Sequence, residues 1–149
     1  MLTLIKKNEE GLVLDPQESN KHKTYLDIAK LWAKESHCER NKVGCIIVKD
    51  QMIISDGYNG TPHGFNNSCE IDNITKEEVI HAEANAICKF AKSTNNSINS
   101  TIYITVAPCF ECAKLIIQSN IKRVIYQEDY RNNKGLQLLR KAKIDYDKW

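Results

Sequence analysis

Runs of β-branched residues alternate with amphipathic helical segments along most of this chain of 149 residues. Residues 43–48 and 101–106 are the clearest runs, and their unbroken apolar character is typical of strands buried on both faces of a sheet. Further strands are predicted at residues 52–55, 122–126 and 144–146, and helices at residues 19–36, 75–95, 109–119 and 133–141. Strands that alternate with helices over short connections form crossover units, here after a leading antiparallel hairpin. The sequence therefore predicts a three-layer α/β/α sandwich with a central mixed sheet of about five strands.

The starts of the first two helices are predicted from capping residues. Ser19 or Asn20 precedes the first helical pattern, and Thr75 followed by Glu78 is a capping-box pattern that predicts the start of the second. The polar stretch at residues 60–76 has no period and is predicted to be a long loop. We expect one domain over residues 1–149, in which residues 1–18 are an N-terminal extension without a predicted element and residues 19–149 form the core.

The charge and hydropathy patterns argue against two classes of partner. The chain has 21 Lys and Arg against 19 Asp and Glu, and its basic residues are scattered, whereas polynucleotide-binding proteins usually concentrate them in a stripe. No apolar run approaches the roughly 18 residues that a membrane span needs, and charged residues interrupt the first fifteen positions as they would not in a signal peptide. We expect a cytoplasmic protein that binds a small molecule, with no polynucleotide and no membrane partner.

The six cysteines are too few for a disulfide scaffold, in which roughly 8–10% of the residues are cysteine. Without an export signal the thiols are expected to lie in a reducing compartment, where metal binding or burial is commoner than bridging. Cys45, in a predicted buried strand, and Cys88, on a predicted helix, are expected to be inert packing residues.

Two other cysteines open the third predicted helix, in the segment Pro108-Cys109-Phe110-Glu111-Cys112. Proline is favoured at a helix start, cysteines three residues apart share a helix face, and a helix N-terminus lowers the pKa of a thiol. Two such thiolates supply half of a tetrahedral zinc site. Taken alone, this C-x-x-C is also compatible with a redox pair, half of a structural zinc knuckle or two packed thiols.

The segment His81-Ala82-Glu83 changes the balance among these alternatives. His81 alone would be typical of a helix-terminal or core histidine, but with Cys109 and Cys112 it gives three ligands. A catalytic zinc site uses three protein ligands and leaves the fourth position for water, whereas a structural site uses four. Glu83 then has no place as a ligand and suits the role of proton carrier.

The combination H-x-E…P-C-x-x-C is the signature of zinc deaminases. Around it, residues 25–130 resemble the deoxycytidylate (dCMP) deaminase family, within the cytidine deaminase-like superfamily. His-Ala-Glu and Pro-Cys-x-x-Cys identify the superfamily, while Gly-Tyr-Asn-Gly-Thr-Pro at residues 57–62 and Asn-Ala-Ile at residues 85–87 narrow it to the dCMP branch. Residues 36–44, 108–114 and 121–126 continue the resemblance.

The resemblance implies a cytidine deaminase-like fold and zinc-dependent hydrolytic deamination of dCMP to dUMP and ammonia, which supplies dUMP for thymidylate synthesis. It implies Zn²⁺ as the cofactor and Glu83 as the catalytic acid and base. It also implies three substrate contacts. Asn59 matches a residue that binds the sugar hydroxyl, although a Gly/Asn turn would explain it as well; Tyr130 matches a tyrosine near the nucleotide; and Ala82 lies between the two catalytic positions.

A 5′-phosphate needs cationic or backbone N–H partners, for which Arg40, Lys42 and Lys92 are candidates among which the sequence does not choose. Members of the family are commonly hexamers, often activated by dCTP and inhibited by dTTP. We therefore expect a homo-oligomer, a hexamer, with dCTP and dTTP as candidate effectors.

The resemblance also suggests a second metal site. Cys38 and Cys69 match positions that hold a second, structural zinc in some phage-type members, with His37 and His63 as weak candidates for further ligands. The longer insertions that carry the other ligands of that site are absent from this chain.

Two alternative functions stay open at this point. Another deaminase of the superfamily, acting on cytidine, dCTP or tRNA adenosine, would carry the same motifs, although the near-neutral charge argues against tRNA. A non-catalytic binding module stabilised by zinc is the other alternative, and such a module would have no use for Glu83.

Overall fold

Four helices and seven strands make up residues 16–149, the part of the chain that this structure, a computed structural model, describes. The helices are α1 (Pro16–Ala33), α2 (Ala82–Cys88), α3 (Phe110–Gln118) and α4 (Lys134–Lys141), and a 3-10 turn (Lys89–Lys92) continues α2. The strands are β1 (Gly44–Lys49), β2 (Met52–Tyr58), β3 (Glu70–Ile71), β4 (Ile74–Thr75), β5 (Thr101–Val106), β6 (Arg123–Glu128) and β7 (Asp145–Lys148). Residues 1–15, most of the predicted N-terminal extension, lie outside the described residues. None of the helices described is both long and apolar enough to cross a membrane.

Five of the strands form one mixed sheet in the order β2-β1-β5-β6-β7. Strand β1 is antiparallel to both of its neighbours, whereas β5, β6 and β7 are parallel to one another. Strands β2, β5 and β6 therefore run in the same direction and end at the same edge of the sheet. Ligands of open α/β sheets bind beyond this edge, so the residues that follow these three strands are the ones to examine.

Buried apolar side chains cover both faces of the sheet. On one face Ile47, Ile102 and Val124 belong to a core cluster that includes residues of α2, α3 and α4. On the other face Ile46 and its neighbours pack against α1. Because helices cover both faces, the strands are apolar at successive positions, and the predicted three-layer α/β/α sandwich is confirmed.

Two helix starts differ from the prediction. Helix α1 begins at Pro16, before the predicted start at residue 19 or 20, and proline is favoured in the first turn of a helix. Helix α2 begins at Ala82, not at Thr75, which lies in β4. The backbone N–H of Ile80 donates to the carbonyl of Gly60 at 2.8 Å, and the reverse bond measures 3.1 Å. This bridge holds Ile80 against Gly60 immediately before α2, so a long-range pairing outweighs the local capping pattern.

The predicted loop at residues 60–76 contains a small hairpin, β3 and β4, and a disulfide. The disulfide joins Cys38 to Cys69, whose Cα atoms are 5.1 Å apart and whose side chains are buried. The expectation that the thiols stay unbridged is therefore wrong for this pair. The two positions are 31 residues apart, and no local pattern in the sequence brings them together.

A carboxylate explains how the two segments meet. Glu70, next to Cys69, accepts hydrogen bonds from the backbone N–H groups of Glu39 and Arg40 at 3.1 and 3.2 Å. This contact draws the loop onto the segment that follows Cys38. Sulfur atoms bonded to each other are not thiolate ligands, so the structure corrects the expectation of a second zinc at Cys38 and Cys69.

Candidate active site

Three metal-ligating groups converge from two helix starts. His81 is the N-cap of α2, Cys109 is the N-cap of α3, and Cys112 lies in the first turn of α3. The Nδ1 atom of His81 is 3.4 Å from the Sγ atom of Cys109 and 3.4 Å from that of Cys112. All three donor atoms lie within 4.8 Å of one another, so one ion can contact them together.

The spacing of these donors fits a tetrahedral zinc ion. Bonds of about 2.3 Å to sulfur and about 2.0–2.1 Å to nitrogen separate the two atoms by about 3.6 Å in a tetrahedron, close to the observed 3.4 Å. Within residues 16–149 no fourth histidine, cysteine, aspartate or glutamate joins the group. The two cysteines are buried and His81 is exposed, so the fourth position is left for a small molecule that enters from solvent.

Hydrogen bonds within the group favour a thiolate. The pKa of Cys109 is lowered to about 4, chiefly by the hydrogen bond from Cys112 and then by that from His81. The same bond to Cys109 raises the pKa of Cys112, and the bond from His81 to Cys109 raises the pKa of His81. The backbone N–H of Cys112 also donates to the sulfur of Cys109 at 3.4 Å. Thiolate sulfur is the form that binds metals.

Glu83 lies beside the sulfur ligands. It is 4% exposed, it belongs to the first turn of α2, and its carboxyl group is hydrogen-bonded to the thiol of Cys112. Burial raises the pKa of Glu83 to about 7. A carboxyl group with a pKa near neutrality both accepts and releases protons at physiological pH.

Two glycines allow neighbouring elements to pack closely against the segments that carry the metal-ligating groups. A β-carbon on Gly57, in β2, would overlap the carbonyl oxygen of Ala82, and one on Gly135, in α4, would overlap that of Pro108. A β-carbon on Gly135 would also lie 2.9 Å from the carbonyl oxygen of Cys109. Both segments that carry the metal-ligating groups therefore rest against glycine backbone. Sequence reasoning missed this role, because only the packing shows which glycines are pressed against a neighbour.

Asn59 follows β2 and clamps a neighbouring loop. Its Oδ1 atom accepts from the backbone N–H of Val43 at 2.9 Å, and its Nδ2 atom donates to the carbonyl of Asn41 at 2.8 Å. A cavity of about 220 Å³ lies beside it, lined by His37 and by residues 58–65 and 67. The contact of Asn59 with a sugar hydroxyl stays a prediction.

Of the other predicted substrate contacts, Ala82 directly follows His81 in the chain, whereas Tyr130 comes after β6. Ala82 is buried in the core, and Tyr130 packs against the same cluster. Among the predicted phosphate contacts, Arg40 donates to the hydroxyl of Thr75 at 3.3 Å. Lys42 and Lys92 are exposed and, within residues 16–149, make no hydrogen bond or ion pair with a residue of the site.

The sequence profile described as "Cytidine and deoxycytidylate deaminase zinc-binding region" matches residues 19–128. The chain belongs to this deaminase family. The predicted resemblance is therefore confirmed, and the group formed by His81, Cys109 and Cys112 lies within the zinc-binding region of the family.

Several relatives of this chain are named deoxycytidylate deaminase. It is 32% identical over 131 residues to the deoxycytidylate deaminase of Saccharomyces cerevisiae, covering 80% of this chain and 42% of that protein. It is 34% identical over 156 residues to the deoxycytidylate deaminase of Enterobacteria phage T4, covering 76% and 81%. The crystal structure of dCMP deaminase from the cyanophage S-TIM5 in complex with dCMP and dUMP matches with a TM-score of 0.85 at 37% identity, covering 91% of this chain and 99% of that one. The chain thus spans less than half of the yeast relative but nearly all of the cyanophage protein.

The two remaining cysteines, Cys45 and Cys88, differ in burial. Cys45 is buried in β1, as predicted, and burial raises its pKa well above the usual value. Cys88, at the end of α2, is exposed, so its predicted packing role is wrong. Helix α2 is shorter than the predicted helix, and its last residue faces solvent.

Proposed function

We propose that this protein deaminates dCMP hydrolytically to dUMP and ammonia and uses one zinc ion per chain. The observation that carries the proposal is the buried carboxyl group of Glu83 beside a three-donor group that leaves a fourth coordination position. Support for dCMP as the substrate comes from the 37% identity to a cyanophage protein whose crystal structure contains dCMP and dUMP. It also comes from relatives named deoxycytidylate deaminase.

His81, Cys109 and Cys112 would hold the zinc ion through one nitrogen and two sulfur atoms. The bound ion supplies Lewis-acid activation of a water molecule, whose pKa it lowers toward 7. Asn59, Ala82 and Tyr130 are assigned to the nucleotide, with Asn59 at the sugar hydroxyl.

Glu83 carries the proton. Its carboxylate accepts a proton from the attacking water and delivers it to N3 of the pyrimidine ring. It then takes the second proton from the oxygen added at C4 and passes it to the amine, which leaves as ammonia while the C4 carbonyl forms. Because the side chain is buried, water does not compete with the substrate for these protons.

The test is Glu83→Gln, which keeps the shape of the side chain and removes the proton carrier. We expect a loss of about 10²- to 10⁴-fold in kcat for dCMP with the zinc content unchanged. Glu111→Gln is the matched control, because Glu111 is an exposed glutamate on α3 whose carboxylate pairs with Lys114. Full activity in Glu83→Gln would refute its role. A substrate panel of dCMP, dCTP, cytidine and deoxycytidine would refute the assignment to dCMP if another member were preferred.

The one-zinc stoichiometry is supported by the single His/Cys/Cys group found within residues 16–149 and by the bridging of Cys38 and Cys69. The hexamer, the dCTP and dTTP effectors, the cytoplasmic location and the single-domain organisation stay predictions. Metal analysis tests the zinc stoichiometry, light scattering tests the hexamer, and rates measured with added dCTP or dTTP test the effectors.

A further inference from the structure

Asn85 belongs to a sequence motif to which the proposed function gives no role. It lies on α2 one turn after His81, and its backbone N–H donates to the carbonyl of His81 at 3.0 Å. Its side chain reaches out from the helix, and the Nδ2 atom donates to the backbone carbonyl of Tyr58, in β2, at 2.8 Å. Tyr58 directly precedes Asn59, the residue assigned to the sugar hydroxyl. The helix that carries Glu83 is therefore bonded to the strand end that carries Asn59.

The carbonyl that Asn85 binds lies on the outer edge of the sheet. Strand β2 is the outermost strand and has β1 on one side only. The backbone N–H of Asn59 donates toward the β1 side, to the carbonyl of Val43 at 3.2 Å, and backbone groups alternate in direction along a strand. The backbone groups of Tyr58 and Gly60 therefore point away from β1, beyond the edge of the five-stranded sheet.

Residues of α2 and of the segment before it occupy that edge at both positions. The backbone of Gly60 pairs with that of Ile80, which immediately precedes the metal-ligating histidine, through hydrogen bonds of 2.8 and 3.1 Å. The side chain of Asn85 binds the carbonyl of Tyr58 in the place that a neighbouring strand would take. The chain on either side of Asn59 is thus held by residues that flank the catalytic turn of α2. The bond from Asn85 is made by a side chain, so one substitution removes it.

A second side-chain hydrogen bond joins the same strand to the same helix. The Oγ atom of Ser55, in β2, donates to the backbone carbonyl of Ala86, in α2, at 2.6 Å. Ser55 lies three residues before Tyr58 and four before Asn59, on the side away from the strand end. The two bonds are alike in the elements that they join and differ in which part of β2 they hold.

We propose that Asn85 is a positioning residue that fixes Asn59 relative to the metal-ligating group and so aligns the sugar of the nucleotide with the reacting ring. The inference rests on the proposed function, in which Asn59 binds a sugar hydroxyl. In dCMP the 5′ oxygen carries the phosphate and C2′ carries no hydroxyl, so the hydroxyl at C3′ is the one that Asn59 meets. Asn85 acts on it through the backbone of Tyr58 and Asn59.

The test compares dCMP with its 2′,3′-dideoxy analogue, which lacks the C3′ hydroxyl. For Asn85→Ala we expect KM for dCMP to rise about 3- to 10-fold, the size of one lost hydrogen bond, while kcat stays within about twofold. For the dideoxy analogue, kcat/KM should stay within about twofold of the wild type, because the contact of Asn59 is already absent. A merely structural role in supporting α2 would instead lower kcat and the zinc content, and it would affect both substrates equally.

Ser55→Ala is the matched control. Each substitution removes one hydrogen bond between β2 and α2, so each should lower Tm by about 2–4 °C. Ser55→Ala should nevertheless leave KM for both substrates within about twofold of the wild type, because its bond does not hold the chain at Asn59. A rise in KM for dCMP that is equal in the two variants, or an unchanged KM in Asn85→Ala, would overturn the proposal.

Calorimetry with dUMP and its 2′,3′-dideoxy analogue gives a readout that does not depend on turnover. Asn85→Ala should weaken binding of dUMP by about 3- to 10-fold and leave binding of the analogue within about twofold. An equal effect on both ligands, or no effect on either, would refute the role of Asn85. If the wild-type protein binds dUMP but fails to deaminate dCMP, the proposed function is wrong, and these dissociation constants then decide the role of Asn85 separately. If it binds no dUMP, both proposals fail.

Discussion

The substitution Gly57→Ala tests whether the position of α2 depends on one missing methyl group. A β-carbon at residue 57 would overlap the carbonyl oxygen of Ala82 and lie 2.8 Å from the backbone nitrogen of Ala86, where ordinary contacts begin at 3.4 Å. Both neighbours are backbone atoms of α2, so no side-chain rotation relieves the overlap. Because β2 is fixed by its ladder to β1, the helix has to move by about 1.1 Å to lengthen the 2.3 Å contact with the Ala82 carbonyl oxygen to 3.4 Å.

The expected cost follows from this displacement. Overpacking of a core typically costs about 1–3 kcal/mol, which for a domain of this size corresponds to a drop of roughly 2–12 °C in Tm. The same movement shifts His81 and Glu83 relative to the cysteines of α3. Since a misplacement of about 1 Å costs about 10²-fold in rate, kcat should fall by one to two orders of magnitude.

Thermal unfolding, zinc content and the rate of dCMP deamination are the measurements. Gly60→Ala is the control for stability, because a β-carbon there meets no atom within 4 Å, and it should shift Tm by no more than about 2 °C. If Gly57→Ala matches the wild type in Tm and retains at least half of its rate, the helix has room that the structure does not show, and the reasoning fails.

Two further predictions concern stability. The disulfide between Cys38 and Cys69 closes a separation of 31 residues and should contribute about 3–4 kcal/mol to the free energy of unfolding. The double alanine variant and the wild type in dithiothreitol should therefore lose similar stability, while Cys88→Ser, at an exposed free cysteine, loses none. An unchanged unfolding midpoint on reduction would contradict this. Burial lowers the pKa of His22, so the unfolded chain takes up a proton near pH 6.5 while the folded chain does not, and stability should fall as the pH drops below about 6.5 toward the folded pKa. Urea unfolding between about pH 5 and 8 should show this slope in the wild type and a shallower one in His22→Gln; equal slopes would exclude His22 as the source.

Local patterns predicted the five strands of the main sheet and the later helices well, but not the short strands β3 and β4. Strand β5 has the predicted bounds, α3 is one residue shorter than predicted at each end, and α4 is one residue shorter at its start. Their signals are short-range, since β-branched runs and amphipathic spacing act within a few residues. The predicted start of α2 was wrong because it depends on the pairing of Gly60 with Ile80, which is a long-range contact.

The features of the candidate site also differ in whether local sequence patterns predicted them. His81, Glu83 and the two cysteines belong to motifs of three to five residues, so the sequence predicted their roles as metal ligands and proton carrier. The disulfide partner of Cys38 was not predicted, because its formation depends on how the loop at residues 60–76 folds back.

The sequence by itself determined which residues supply the donor atoms, which elements they begin, and that strands and helices form a layered sheet. Tertiary structure alone decided that two helix starts bring one imidazole and two sulfurs to within 4.8 Å and that glycine backbone supports both segments. The reason is physical: residue chemistry and backbone periodicity act over a few neighbours, whereas distances between segments follow from sheet register and close packing across the whole core.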